Sequence, residues 1–206
     1  ITSGNRGWAV GGSDAPGGRS ASVHVLVDGE WRQHHSGDGY PLYTLATVNQ
    51  STIVAGGSNG RIAVVEDDGV RDLAHLGGGR FSVIRAATNA VGSGSAYLAA
   101  SGVAGAHIFR LRNEEVEQVH GQRIDRLAMA SNSVGYAVSD GKLMTLDSAT
   151  WREDSGMDAD VLVRDVGVSS TGDVWTVGLR RAGDSATPAI HKFSGEVWTE
   201  HDVEFD

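Results

Sequence analysis

Hydrophobic positions along this chain come in short bursts. GWAVGG (7–12), TIVAGG (52–57), SAYLAA (95–100), GYAVSD (135–140) and VWTVGL (174–179) share one pattern, an apolar centre flanked by small or polar residues. Each is followed by a second burst: SVHVLVDG (22–29), RIAVVEDDG (61–69), AHIFRLRN (106–113), KLMTLDSA (142–149) and AIHKFSG (189–195). A third burst closes each set: EWRQHH (30–35), VRDLAH (70–75), VEQVH (116–120), TWREDS (150–155) and VWTEHD (197–202). A fourth precedes most copies of the first: LYTLATV (42–48), FSVIRAAT (81–88), IDRLAMAS (124–131) and LVRDVGVS (162–169). These runs are rich in Val, Ile, Leu and aromatics and are punctuated by Gly, Asp, Asn and Ser, which is the chemistry of strands and tight turns. No stretch sustains the 3.6-residue period of an amphipathic helix.

The large residue anchoring the first burst is Trp8, Ile53, Tyr97, Tyr136 and Trp175, at spacings of 45, 44, 39 and 39. Four short strands recurring at that period describe the blades of a β-propeller. The expected fold is all-β, a five-bladed β-propeller of four-stranded antiparallel blades, in one domain spanning 1–206. The blades are expected near 1–36 plus 203–206, 37–76, 77–121, 122–156 and 157–202. The first copy lacks its leading strand, and the last residues read on into the first ones much as 124–138 reads. The N- and C-termini are therefore expected to share the inner strand of one blade and close the ring, which would remove exposed sheet edges.

The repeat rests on Gly7-Trp8-Ala9-Val10-Gly11-Gly12, Asp28-Gly29-Glu30-Trp31, Gly135-Tyr136-Ala137-Val138 and Gly195-Glu196-Val197-Trp198. It resembles the repeats of photosystem-assembly-factor, sortilin and BNR-type propellers, and more loosely those of WD40 and kelch propellers. The resemblance runs through all five copies and implies a scaffold. Function has to be argued from the surface of that scaffold.

Composition narrows the surface. Glycine supplies 29 of 206 residues, about twice ordinary usage, as turns between twenty strands require. The absence of cysteine excludes a disulfide framework, a zinc–thiolate site and a thiol nucleophile. No apolar run is long enough for a membrane-spanning helix, so no membrane insertion is expected. With 17 Lys+Arg against 26 Asp+Glu, a net charge of -9, the chain is mismatched to a phosphate backbone, and nucleic acid is not expected as a partner. Lys142 and Lys192 are the only lysines, and Asp outnumbers Glu 17 to 9. Such a balance fits either the surface of a halophile's protein or a GC-rich genome. The first residue is Ile1, compatible with a removed leader or with numbering that begins inside a longer product; extracellular and cytoplasmic locations both stand.

Trp8, Trp31, Trp151, Trp175 and Trp198 fall in two repeat registers and are expected to pack between blades. His24, His107 and His191 share one register, and His34 or His35, His75, His120 and His201 another. Equivalent positions of different blades do not converge on one ion, so these histidines are read as structural and no metal is assigned. Asp125 and Asp165, beside Arg126 and Arg164, are read as ion-paired carboxylates unsuited to general-acid work. No catalytic residue and no cofactor is assigned. The stronger signal is in the connections at 12–21 and 179–188, read as two long loops, where binding residues concentrate. Arg19, Arg180 and Arg181 there are expected to form a positive spot, with Asp14 and Asp184 beside them and Tyr40, Arg80 and Arg123 on neighbouring connectors. The reading is a non-catalytic module that binds another protein within a larger assembly. A lectin-type propeller with a glycan partner is the alternative, and a glycoside hydrolase or lyase at the channel mouth comes third.

Overall fold

The computed structural model describes residues 6–48, 52–76, 81–90, 94–102, 105–121, 123–147, 150–169 and 171–201. These form five antiparallel sheets, each running from strand to adjacent strand in chain order. The first holds β1 (Arg6–Ala15), β2 (Gly18–Val27) and β3 (Glu30–Asp38). The second holds β4 (Leu42–Thr47), β5 (Ile53–Gly57), β6 (Arg61–Glu66) and β7 (Gly69–His75). The third holds β8 (Phe81–Ala90), β9 (Ser95–Gly102), β10 (Gly105–Arg112) and β11 (Glu115–His120). The fourth holds β12 (Arg126–Met129), β13 (Gly135–Ser139), β14 (Lys142–Asp147) and β15 (Thr150–Glu153). The fifth holds β16 (Val161–Val168), β17 (Val174–Ala182), β18 (Ser185–Phe193) and β19 (Trp198–His201). Five sheets fit the five expected blades. The expected closure by the termini falls on residues 1–5 and 202–206, outside the described residues.

The described residues gather into two compact units, one drawn from Ile1–Asn89 and Gly94–Arg123, the other from Ala90–Ser93 and Ile124–Asp206. In the first unit, the second sheet is covered on both faces. Ile53, Ala55, Ala63 and Val65 meet Ala21 and Val23 of β2, while Val54 and Ile62 meet Leu98, Phe109 and Leu111 of the third sheet. Covering both faces explains why β5 and β6 read as continuous apolar runs rather than alternating ones. Each fully buried Ile or Leu contributes about 1.5–3 kcal/mol. In the second unit, Tyr136, Val138 and Leu143 of the fourth sheet pack on Val161, Val163, Val166 and Val174 of the fifth.

Bulges tune the fit between sheets. In β3, His34 is the extra residue between the pairs Val23–His35 and His24–Gln33. Its Nε2 donates to the Glu66 carbonyl at 2.9 Å, and its ring meets Trp8 edge-on. Leu73 in β7 is an extra residue of the same kind, packed against the apolar cluster between the second and third sheets. The leading strands bulge too: Tyr43 is extra in β4 and Arg164 in β16. Each of these bulges lies opposite a glycine where the two backbones nearly touch. A Cβ on Gly57 would fall on the Pro41 carbonyl oxygen, and one on Gly178 on the Leu162 carbonyl oxygen.

Two sequence expectations change. Residues 12–21 and 179–188 are not long loops. β1 and β2 stay paired to Ala15–Gly18 around a Pro16-Gly17 turn, and β17 and β18 stay paired to Ala182–Ser185 around Gly183-Asp184. The tips are extended by small and polar residues, so no hydrophobic alternation announces them. Trp31, expected between blades, is 55% exposed on β3.

His191 on β18 is 3% exposed, and neither ring nitrogen has a hydrogen-bond partner among the described residues. Burial is the dominant influence on it and lowers its pKa; Glu200, Asp158 and Asp160 pull the other way, while Arg180 adds to the lowering.

Two outcomes follow from this packing. Gly57→Ala should destabilise the protein by about 2–3 kcal/mol through backbone overlap. Gly17→Ala, at a turn with open space around it, should stay within about 0.5 kcal/mol of the parent in the same denaturant titration. For His191, a lowered folded-state pKa means that unfolding takes up a proton. Its stabilising contribution is full above about pH 6.5 and is lost as pH falls. Thermal melts from pH 7 to pH 5 should show the parent losing more stability than His191→Met, by at most about 1.4 kcal/mol per pH unit. Parallel pH profiles would mean that His191 does not titrate on unfolding.

Candidate functional site

The tip of the β1–β2 hairpin is built as a polar cluster. Asp14 and Arg19 are cross-strand partners, and Arg19 Nε donates to Asp14 Oδ1 at 2.8 Å. The other carboxylate oxygen of Asp14 accepts the Ser58 hydroxyl at 3.2 Å. The Arg19 guanidinium lies over the Tyr40 ring, 4.5 Å from its centroid. The bond to Asp14, and then the proximity of Tyr40, hold the Arg19 pKa above its ordinary value. Gly39 N–H donates to the Arg19 carbonyl at 3.2 Å, which ties the connector carrying Tyr40 to the hairpin.

Beneath this exposed layer sits Arg61, 6% exposed at the start of β6. Its Nε donates to Asp72 Oδ1 at 2.7 Å, and its Nη1 donates to the Tyr40 carbonyl at 2.6 Å. Tyr40 also meets His75 edge-on, with ring centroids 6.0 Å apart. A buried guanidinium must be fully hydrogen-bonded to be tolerated, and here its bonds fix the backbone that presents Tyr40. Three residues singled out in the sequence, Asp14, Arg19 and Tyr40, are thus brought together. Arg61, Asp72 and Ser58 were missed. A cation opening an apolar strand run, as in Arg61-Ile62-Ala63-Val64, was the available signal for a buried one.

The second unit holds a different arrangement. Arg180 is gripped by three carboxylates: Asp158 at 3.0 Å, Asp160 at 2.8 Å and Glu200 at 2.9 Å. These bonds, led by those to Asp158 and Glu200, push its pKa well up. The expectation that Arg180 contributes to a free positive spot is therefore corrected, because its charge is more than balanced within the chain. Arg181 is exposed; its backbone N–H donates to the Asp160 carbonyl at 2.9 Å. Its guanidinium makes no ion pair or hydrogen bond among the described residues. Asp184 is exposed in the hairpin turn, and Arg123 is exposed ahead of β12. Arg80 lies outside the described residues. The first and fifth sheets belong to different units.

The carboxylates considered for acid–base work are held by neighbours. Asp165 lies 3.8 Å from Arg126 Nε and accepts the Val166 N–H, while Asp125 accepts the Asp140 N–H at 3.3 Å. The histidines occupy separate packing positions: His34 bonds to a carbonyl, His75 lies beside Tyr40, and His201 lies against Trp175. Among the described residues no three His, Asp or Glu side chains converge on a point that would hold a metal ion.

No protein-family profile matches the chain, and no curated protein matches it. Solved structures do. TolB from Acinetobacter baumannii superposes with a TM-score of 0.66 at 14% identity, over 95% of this chain and 52% of that one. The nidogen/laminin complex gives 0.61 at 15% identity, over 84% of this chain and 67% of that one. YCF48 bound to D1 peptide gives 0.58 at 17% identity, over 87% of this chain and 61% of that one. The chain thus spans about half to two thirds of these relatives, and identities this low carry the fold alone. Five antiparallel sheets of three or four strands, matched by these structures, give this chain an all-β, propeller-like fold.

Proposed function

We propose that this chain is a non-catalytic propeller module that binds another protein, through polar clusters carried on the ends of its extended hairpins. The observation that carries this reading is the Asp14–Arg19–Tyr40 cluster with buried Arg61 beneath it. An exposed group held in one geometry by a rigid under-layer loses little entropy on binding. At the β17–β18 tip, Arg181 and Asp184 are the corresponding contact residues, and Arg80 and Arg123 join the proposed set by their place in the repeat. Two of the similar structures, YCF48 with a D1 peptide and nidogen with laminin, contain a protein partner, which supports a partner of the same class here. A role within a larger assembly follows from that reading.

Glycan binding fits the cluster less well. Sugars stack on an open aromatic face, and the Tyr40 ring is covered by the Arg19 guanidinium. Arginine over an aromatic ring is instead a common anchor in protein interfaces.

Affinity capture with in-cell cross-linking tests the reading. Wild-type bait in its native organism should enrich a defined partner, and Arg19→Glu should lower that enrichment at least tenfold while melting within a few degrees of the parent. Equal capture by the folded variant would overturn the assignment of this surface.

A further inference from the structure

Three arginines have no side-chain partner among the described residues: Arg112, Arg164 and Arg181. Their surroundings differ. Arg112 faces Glu115 across the β10–β11 pair and lines a cleft shared with Glu117, so an incoming anion would meet carboxylates already in place. Arg164 is the extra residue of a bulge and lines no described cavity. Arg181 has Ala186 opposite it in the β17–β18 pair and borders a cavity in which Lys142 is also present.

That cavity has a volume of about 250 Å³ and lies between the Asp140-Gly141 turn and the paired strands β16 and β17. Its geometry is fixed on both sides. The turn is held against β16 by Val163 N–H donating to the Gly141 carbonyl at 2.8 Å, and Asp140 and Gly141 both take positive φ. A Cβ on Gly141 would overlap Leu162, so only glycine allows this approach. On the other side, the Arg181 backbone is bonded to Asp160 and paired with Ala186. The walls contributed by Val161 and Leu162 are apolar.

The charges around the cavity are mostly spoken for. Asp160 is paired with Arg180, and Lys142 with Glu153 at 2.7 Å. Asp140 is engaged with other groups. The guanidinium of Arg181 makes no ion pair or hydrogen bond among the described residues and borders the cavity. A guanidinium presents parallel N–H donors that match a carboxylate bidentately, and such charge-assisted pairs are stronger than neutral hydrogen bonds. Apolar walls beside it suit the methylene stem of an acidic side chain.

We propose that this cavity receives a glutamate-type side chain of a protein partner, with Arg181 as its counter-ion and Val161 and Leu162 against its stem. The proposal rests on the protein-binding reading above and adds the chemistry that would be recognised. It also separates two adjacent arginines: Arg180 holds the chain together, and Arg181 is offered outward.

The test is an NMR titration of arginine Nε–Hε signals in the full chain. Three small probes are used: N-acetyl-glutamate amide, N-acetyl-glutamine amide and N-acetyl-glycine. The expected result is a saturable shift at Arg181 with the glutamate probe, at least tenfold weaker with the glutamine probe, and lost in Arg181→Gln. A shift at Arg181 no larger than those at Arg112 and Arg164 would overturn the proposal. Saturation by N-acetyl-glycine alone would overturn the side-chain assignment in favour of a chain-terminal carboxylate. Partner capture by an Arg181→Gln bait separates the two readings. Capture unchanged in Arg181→Gln but lost in Arg19→Glu would overturn this cavity's role and leave the protein-binding reading standing. Capture unaffected by either substitution would overturn both surface assignments, and no partner enriched by the wild-type bait would remove the protein-binding reading even if the glutamate probe binds.

Discussion

A sheet that is apolar on both faces has to be covered on both faces. The central strands of the second sheet are covered on both faces, by the first sheet and by the third. Side chains of alternating direction therefore meet different neighbours: Ile53 and Ala55 face the first sheet, and Val54 faces the third. That demand sets the rest of the structure. Glycines stand where leading strands bulge toward the next strand, and the extra residues in β3 and β7 turn inward against adjoining layers. Where both faces are spent on packing, as in the second sheet, the ends of strands and the tips of hairpins are what remains for recognition.

Arginine does most of the electrostatic organising in a chain of net charge -9. Exposed pairs such as Arg32–Glu30 contribute little, about 0–1 kcal/mol, and are screened by salt. Arg61 and Arg180 are different because each joins groups far apart in sequence. Arg61 links Asp72 of β7 to the carbonyl of Tyr40. Arg180 links the segment ahead of β16 to β19. Both uses exploit several fixed donors on one planar cation, a geometry that an ammonium group cannot reproduce. This gives a physical use for the strong preference of arginine over lysine, independent of habitat.

The strand pattern was open to reading because a five-residue strand buried on both faces leaves an unmistakable apolar run, repeated at a nearly constant period. Four anchors, Ile53, Tyr97, Tyr136 and Trp175, fall in the second strand of a four-stranded sheet, and Trp8 falls in the first strand of the three-stranded one. The hairpin tips were misread because Ser13, Asp14 and Ala15 on one side, and Ala182 and Ser185 on the other, carry no alternation that distinguishes a ladder from a loop. The Asp14–Arg19–Tyr40 cluster was reachable, since a hairpin brings Asp14 opposite Arg19. The capture of Arg180 was not: its three carboxylates lie about twenty residues away on either side, and only the folded fifth sheet places them at one point. Arg61 escaped for a related reason, because a charged residue at a strand end looks solvated until its neighbours are known.

Arg180 and Arg181 show how much one residue of register decides. Successive side chains of a strand point to opposite faces, so two identical neighbours on β17 enter different environments. Arg180 is directed to the face where Asp158, Asp160 and Glu200 wait, and its removal would leave three carboxylates facing one another. Arg181 is exposed beside the cavity and makes no ion pair with them. A change at the first position acts through the folded state, and a change at the second acts on the surface. Substituting both together would blend a structural loss with a loss of contact, and the two can be told apart only one residue at a time.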